Sequence, residues 1–141
     1  MPTSLRPFER LSGGGVRVEH VSLFVAALVV RGLYWFANGT RVYSDSFRYI
    51  TWCQQPPAET LLGSRALVYS GYWLPYCGWL KATGGYIEGW VAVQVVLSAL
   101  TCVIIYETAR RLVGNAAGIV AGGLFVVQGQ VFYWIIRPQS E

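Results

Sequence analysis

Residues 86–106 read YIEGWVAVQVVLSALTCVIIY, and this stretch decides the fold. A helix needs roughly 20 predominantly apolar residues to cross the hydrocarbon of a bilayer. The stretch meets that length with Glu88 as its single charge, near the start, and Glu107, Arg110 and Arg111 close it. Gln94, Ser98 and Thr101 recur at i, i+4 and i+7. This polar stripe suits hydrogen bonding between helices.

Two further apolar blocks flank it. Val18 to Ala37 forms the first, and residues 114–136 form the last. In the last block Gly114, Gly118 and Gly122 repeat every four residues, a face on which a partner helix can approach closely. The chain has 54% hydrophobic and only 13% charged residues. Soluble domains carry about 25% charged residues. The expected fold class is therefore an all-α integral membrane protein, with about three transmembrane helices and amphipathic juxtamembrane helices in the first outer loop.

The expected organisation is a cytoplasmic tail over 1–17 and spans over 18–37, 86–108 and 114–136. An outer loop covers 38–85, a cytoplasmic turn 109–113 and an outer end 137–141. Arg6, Arg10 and Arg17 precede the first span. Arg110 and Arg111 follow the second. Basic residues favour the cytoplasmic side, so the chain reads as a multi-pass protein of the cell membrane with its N-terminus inside.

The outer loop is the most polar region. Ser44 can cap a helix over Asp45 to Gln54, ended by Pro56-Pro57. Tyr43, Phe47 and Ile50 give that helix an apolar side for the membrane surface. Residues 66–82 hold Tyr69, Tyr72, Trp73, Tyr76 and Trp79, the composition of a membrane–water boundary. Arg65 to Lys81 encloses a stretch that is short for a span and is interrupted by Gly71, Pro75 and Gly78. A surface or re-entrant helix is expected there.

The net charge of +4 fits contact with anionic membrane lipid. No basic cluster interleaves with aromatics, so no nucleic acid is expected as a partner. Cys53, Cys77 and Cys102 are odd in number and hold no CxxC pair, which indicates neither a disulfide framework nor a zinc site. His20 reads as a structural or interfacial residue. Phosphate-loop, HExxH and GxSxG motifs are absent from the sequence, so soluble nucleotide or hydrolase chemistry has no support.

Charges within or beside the spans are the candidates for chemistry. Arg31 lies late in the first span, where its side chain leans toward the helix N-terminus and away from the nearer surface. Burial against an anion or inside the bundle is expected of it. Asp45, the only aspartate, begins the surface helix. Its plain reading is a favourable acid in a first helical turn. Its chemical reading is a general base for an acceptor hydroxyl. Arg48 lies one turn further, able to pair with Asp45 or bind phosphate.

The order of these features resembles a known family. An arginine late in the first span leads to Tyr43-Ser44-Asp45-Ser46-Phe47-Arg48-Tyr49. Then come Tyr69-Ser70-Gly71-Tyr72-Trp73-Leu74-Pro75, Gly84-Gly85-Tyr86 and Ala109-Arg110-Arg111-Leu112-Val113-Gly114-Asn115-Ala116-Ala117. The pattern is similar to the N-terminal part of the GT-C membrane glycosyltransferases, in the protein mannosyltransferase and aminoarabinose transferase group. The resemblance implies sugar transfer from a polyprenyl-phosphate carrier to an acceptor on the outer face, with Asp45 as general base. The leaving lipid phosphate calls for cations, and Arg31, Arg48 and Arg137 fit on charge and placement. A divalent metal is the one cofactor the resemblance leaves open.

Two departures stand out: Ser46 replaces a second acid, and Ser70-Gly71 replaces a proline-containing pair. Members of the family are several times longer, so a fragment of a longer protein is expected. Two rival readings use the same residues. One is a four-helix carrier or flippase-like protein for lipid-linked sugars. The other is a non-catalytic subunit that packs on a partner helix through Gly114, Gly118 and Gly122.

Overall fold

The computed structural model describes residues 17–42, 44–56, 58, 60 and 70–136, without the side chains of 44–46, 134 and 135. Tyr43, Arg65, Arg137 and Glu141 lie outside the described residues. Six helices follow in order: α1 Val18–Asn38, α2 Ser44–Gln54, α3 Ser70–Thr83, α4 Ile87–Leu112, α5 Asn115–Val127 and α6 Gly129–Ile135. Among the described residues every regular element is helical.

Two helices, α1 and α4, are long and apolar enough to cross a membrane. Their 21 and 26 residues extend about 32 and 39 Å at 1.5 Å per residue. Only 11% of the most apolar stretch of α1 and 33% of that of α4 is buried inside the molecule. A core helix of a soluble domain would hide most of its apolar side chains. Here Val21, Val25, Val29 and Leu33 line an open stripe on α1, and Val96, Leu97, Leu100 and Ile104 line one on α4. Exposed apolar stripes of that kind mark a contact with a membrane or with another protein.

The faces turned inward are narrow. On α4 they are Val91, Val95, Ala99, Cys102 and Tyr106, three or four residues apart. Ala27 of α1 meets Ala99 and Cys102 there, with Val126 of α5. The glycine repeat is used within the chain. A Cβ on Gly118 would meet the Tyr106 carbonyl oxygen at 2.8 Å, and one on Gly122 would meet Leu23 at 3.0 Å. Those two glycines let α5 lie against α4 and α1. Gly114 does not share their face. It forms the turn before α5 at φ 132°, a conformation that favours glycine.

The last apolar block is two helices rather than one. Gln128 takes φ −66° and ψ 106°, an extended geometry that ends α5 before α6 begins at Gly129. The break leaves the last carbonyls of α5 without helical partners. Arg31 supplies one: its NH2 donates to the Phe125 oxygen at 3.0 Å. Periodicity does not reveal such a break, because apolar residues continue on both sides of it.

The 38–85 region contributes α2 and α3. The cysteine reading needs correction, since Cys53 and Cys77 form a disulfide with Cα atoms 5.1 Å apart. Each cysteine lies on the buried face of its own short helix, beside Tyr49 on α2 and beside Trp73 and Tyr76 on α3. A separation of 24 residues in sequence gave no sign of this pairing. The buried side of α2 is Tyr49 and Cys53, with Ile50 partly covered, while Phe47 stays 61% exposed. The 14 residues of α3 extend only about 21 Å, and Pro75 interrupts its hydrogen bonding.

Candidate functional site

Trp90, in the first turn of α4, joins α2 and α3 to the long helices. It packs in the cluster of Tyr49, Cys53, Trp73, Tyr76 and Cys77. This cluster forms a cap over the end of α4 where the helix begins. Its rings meet edge-on: Tyr49 to Tyr72 at 5.5 Å and Tyr72 to Trp90 at 5.9 Å. Such contacts contribute about 0.5–1.5 kcal/mol beyond area burial. Tyr72 is the polar hinge of the cluster. Its hydroxyl accepts from Trp90 Nε1 at 3.1 Å and from Gln94 Nε2 at 3.4 Å.

Burial pushes both cap phenols up, Tyr76 to about 12 and Tyr72 further still. For Tyr72 the bonds from Trp90 and Gln94 act in the opposite direction and are outweighed. Both side chains are therefore neutral at physiological pH, and neither is poised as a base.

Asp45 occupies the first turn of α2, and its side chain lies outside the described residues. Arg48 follows one turn later on the same helix, with an exposed side chain. The two are thus one turn apart on a helix fixed by the cap. Arg31 belongs to a different layer. It is 1% exposed, within the bundle. Its NH1 donates to the Ala27 oxygen at 3.3 Å, and its guanidinium lies 5.3 and 5.5 Å from the ring centres of Phe125 and Phe132. Two of its donors are directed to backbone carbonyls rather than to an open face, and its Nε has no partner among the described residues. Arg137 lies outside the described residues.

The expected polar stripe on α4 divides. Gln94 reaches across to Tyr72 of α3, whereas Thr101 bonds its own helix at the Leu97 oxygen, 2.9 Å away. Ser98 Oγ is buried without a partner among the described residues.

At the opposite end of the bundle, His20 has a partner that the sequence did not suggest. Its Nδ1 accepts from the Arg17 backbone N–H at 3.0 Å. The hydrogen of neutral His20 therefore sits on Nε2, which donates to Glu107 Oε2 at 3.1 Å. Glu107 also receives Arg110 at 2.6 and 2.7 Å and Arg111 at 2.6 Å. The Arg110-Arg111 pair was legible as a helix end, but its convergence on one carboxylate with a histidine 87 positions away was not. Among the described residues no three His, Cys, Asp or Glu side chains gather as a metal site.

No family model matches the chain, and neither a curated protein nor a solved structure matches it.

Proposed function

We propose that this chain is a multi-pass protein of the cell membrane, with its N-terminus in the cytoplasm, that serves sugar transfer at the outer face. The donor is a polyprenyl-phosphate sugar, and Asp45 is the general base that takes the proton of the acceptor hydroxyl. The third crossing in this reading is α5 with α6, bent at Gln128.

The observation that carries the proposal is the fixing of α2. The helix bearing Asp45 is cross-linked to α3 through Cys53–Cys77 and packed through Tyr49 near Trp90 of α4. A disulfide persists where the compartment is oxidising, which favours an outward cap. The arginines at the other end of α4 favour a cytoplasmic location there. A base on a rigid surface helix is also what positioning catalysis needs. Arg48, one turn on, is the residue we assign to the leaving phosphate. Arg31 acts through packing, as a donor to the freed carbonyl of α5.

Radiolabelled polyprenyl-phosphate sugar, supplied to membranes holding the chain, tests the assignment. Transfer by the wild type and its loss by at least about a hundredfold in Asp45→Asn, at equal membrane content, is expected for a general base. Transfer retained by the variant, or absent in the wild type, overturns it.

A second reading has one observation in its favour. A broken helix beside a buried cation is also how carriers build sites at membrane depth. A carrier would move the lipid-linked sugar across vesicles with Asp45→Asn as fast as with the wild type.

A further inference from the structure

The end of α1, the two residues after it and the first turn of α4 border an open groove of about 470 Å³ that the transfer proposal does not use. Its lining is Gly32, Trp35, Phe36, Gly39, Thr40 and Glu88. On α1, residues 32, 35 and 36 fall at i, i+3 and i+4, so they form one face, and Gly39 and Thr40 follow directly after the helix end. Glu88 faces them from α4. We propose that this groove binds the ammonium headgroup of a membrane lipid.

Three features of the groove select that chemistry. Glu88 supplies a carboxylate with no cationic partner among the described residues. Trp35 supplies an aromatic wall whose orientation is fixed, because its Nε1 donates to Thr40 Oγ1 at 3.0 Å. A cation over an indole face is attracted by the ring quadrupole, and tryptophan is the best ring for it. Gly32 supplies room: a Cβ there would meet nothing within 4 Å.

A metal ion fits the groove poorly. Calcium takes six to eight oxygen ligands and magnesium six, whereas one carboxylate faces two aromatic rings here. The Thr40 oxygen is already engaged by Trp35. An anion is disfavoured by Glu88. An organic ammonium, with one positive charge and an apolar shell, matches both walls.

The surroundings select a lipid over a soluble amine. Phe36 is 91% exposed and Leu33 64% exposed, and the apolar stripe continues down α1 through Val29 and Val25. Acyl chains can lie along that stripe while the headgroup sits between Trp35 and Glu88. Tryptophan at such a level is characteristic of the headgroup region. The proposal rests on α1 crossing a membrane and needs nothing of the transfer chemistry.

Native mass spectrometry of the purified protein, transferred from nanodiscs of defined composition, tests this. Phosphatidylethanolamine, phosphatidylcholine and phosphatidylglycerol with identical acyl chains are compared. The wild type should retain the two ammonium lipids about tenfold over phosphatidylglycerol, the scale of one cation–carboxylate and one cation–π contact at an exposed site taken together. Glu88→Gln removes the charge and Gly32→Leu fills the space, and each should bring the three lipids to parity. Both positions are tolerant, since Glu88 is exposed and Gly32 has open space. An unchanged circular dichroism spectrum confirms folding of each variant.

Equal retention of all three lipids by the wild type overturns the proposal, as does a preference that survives Glu88→Gln. Displacement of the lipid by glycerophosphoethanolamine at millimolar concentration would assign the groove to a soluble amine and overturn the lipid assignment. Release of the protein from membranes by alkaline carbonate would overturn the membrane premise instead, so the two failures are distinct.

Discussion

In the cap, α2 and α3 meet through Tyr49, Trp52, Trp73, Tyr76 and a disulfide; in the bundle, α1, α4 and α5 meet through Ala27, Ala99, Cys102, Gly118 and Gly122. Large rings hold one region and small residues hold the other. The bundle helices expose apolar faces on their outer sides, and in the membrane placement proposed above, burying more apolar surface gains them little. What favours their contact is close backbone approach, and glycine and alanine permit it. The cap helices have 11 and 14 residues, too short to be stable as isolated helices. They need large contact area, polar handles at the ring edges and a covalent tie. Rigidity is thus achieved by different means in the region that carries Asp45 and in the region beneath it.

Loss of the disulfide should separate the two regions most clearly. Cys53→Ser opens a cross-link across 24 residues, and removal of such a link costs about 3 kcal/mol. The near-ultraviolet circular dichroism of the cap rings should then melt well below the far-ultraviolet signal of the bundle. In the wild type the two signals should melt closer together, and a reductant should reproduce the variant. Coincident melting of both signals in Cys53→Ser would show that the cap is held by the bundle alone.

The reciprocal test strikes the bundle. Gly118→Leu forces a side chain toward the Tyr106 carbonyl and the Arg110 Cβ, which a Cβ alone would approach to 2.8 and 2.9 Å. Overpacking of this kind costs about 2 kcal/mol. The far-ultraviolet transition should fall while the cap, tied by its disulfide, keeps its aromatic signal longer. Gly123→Leu is the control, because a Cβ there meets nothing within 4 Å. If both glycine variants melt alike, close contact between α4 and α5 does not hold the bundle.

The comparison also explains what the sequence disclosed. The apolar lengths of α1 and α4 were legible because a run long enough to cross a bilayer is visible without any distant partner. Ser44 and the following prolines marked the bounds of α2 for local reasons. The small-residue repeat was legible as a packing face, though not its partner, since a Gly-xxx-Gly pattern does not specify what approaches. Contacts between distant positions were hidden: Cys53 with Cys77, His20 with Glu107, Trp90 and Gln94 with Tyr72. Each requires knowing how two helices are rotated against each other. The break at Gln128 was hidden for another reason, because it satisfies Arg31, which lies 94 residues from the Phe125 acceptor. Asp45 could be singled out by its uniqueness, while the cap that fixes its helix could not.

The smallest effect concerns the polar hinge that couples the cap to α4. Tyr72→Phe removes the acceptor for Trp90 Nε1 and Gln94 Nε2 while keeping the ring. The site is only partly buried, so water can take over some of the bonding, and a cost of about 1 kcal/mol is expected. A pH titration locates the same coupling in the wild type. Burial raises the folded value of Tyr76 to about 12 from 10.0 and moves Tyr72 the same way. Below about pH 10 both states hold these protons, so the pair gives no pH dependence there. As pH rises from 10 toward 12 the unfolded chain releases them first, and stability falls. The cap tyrosines should therefore add no pH dependence to the melting below pH 10 and a decline above it, shallower in Tyr72→Phe. An identical decline in that variant would mean that Tyr72 ionises as freely as an exposed tyrosine, and the cap would then be open to water at the ring edge that faces α4.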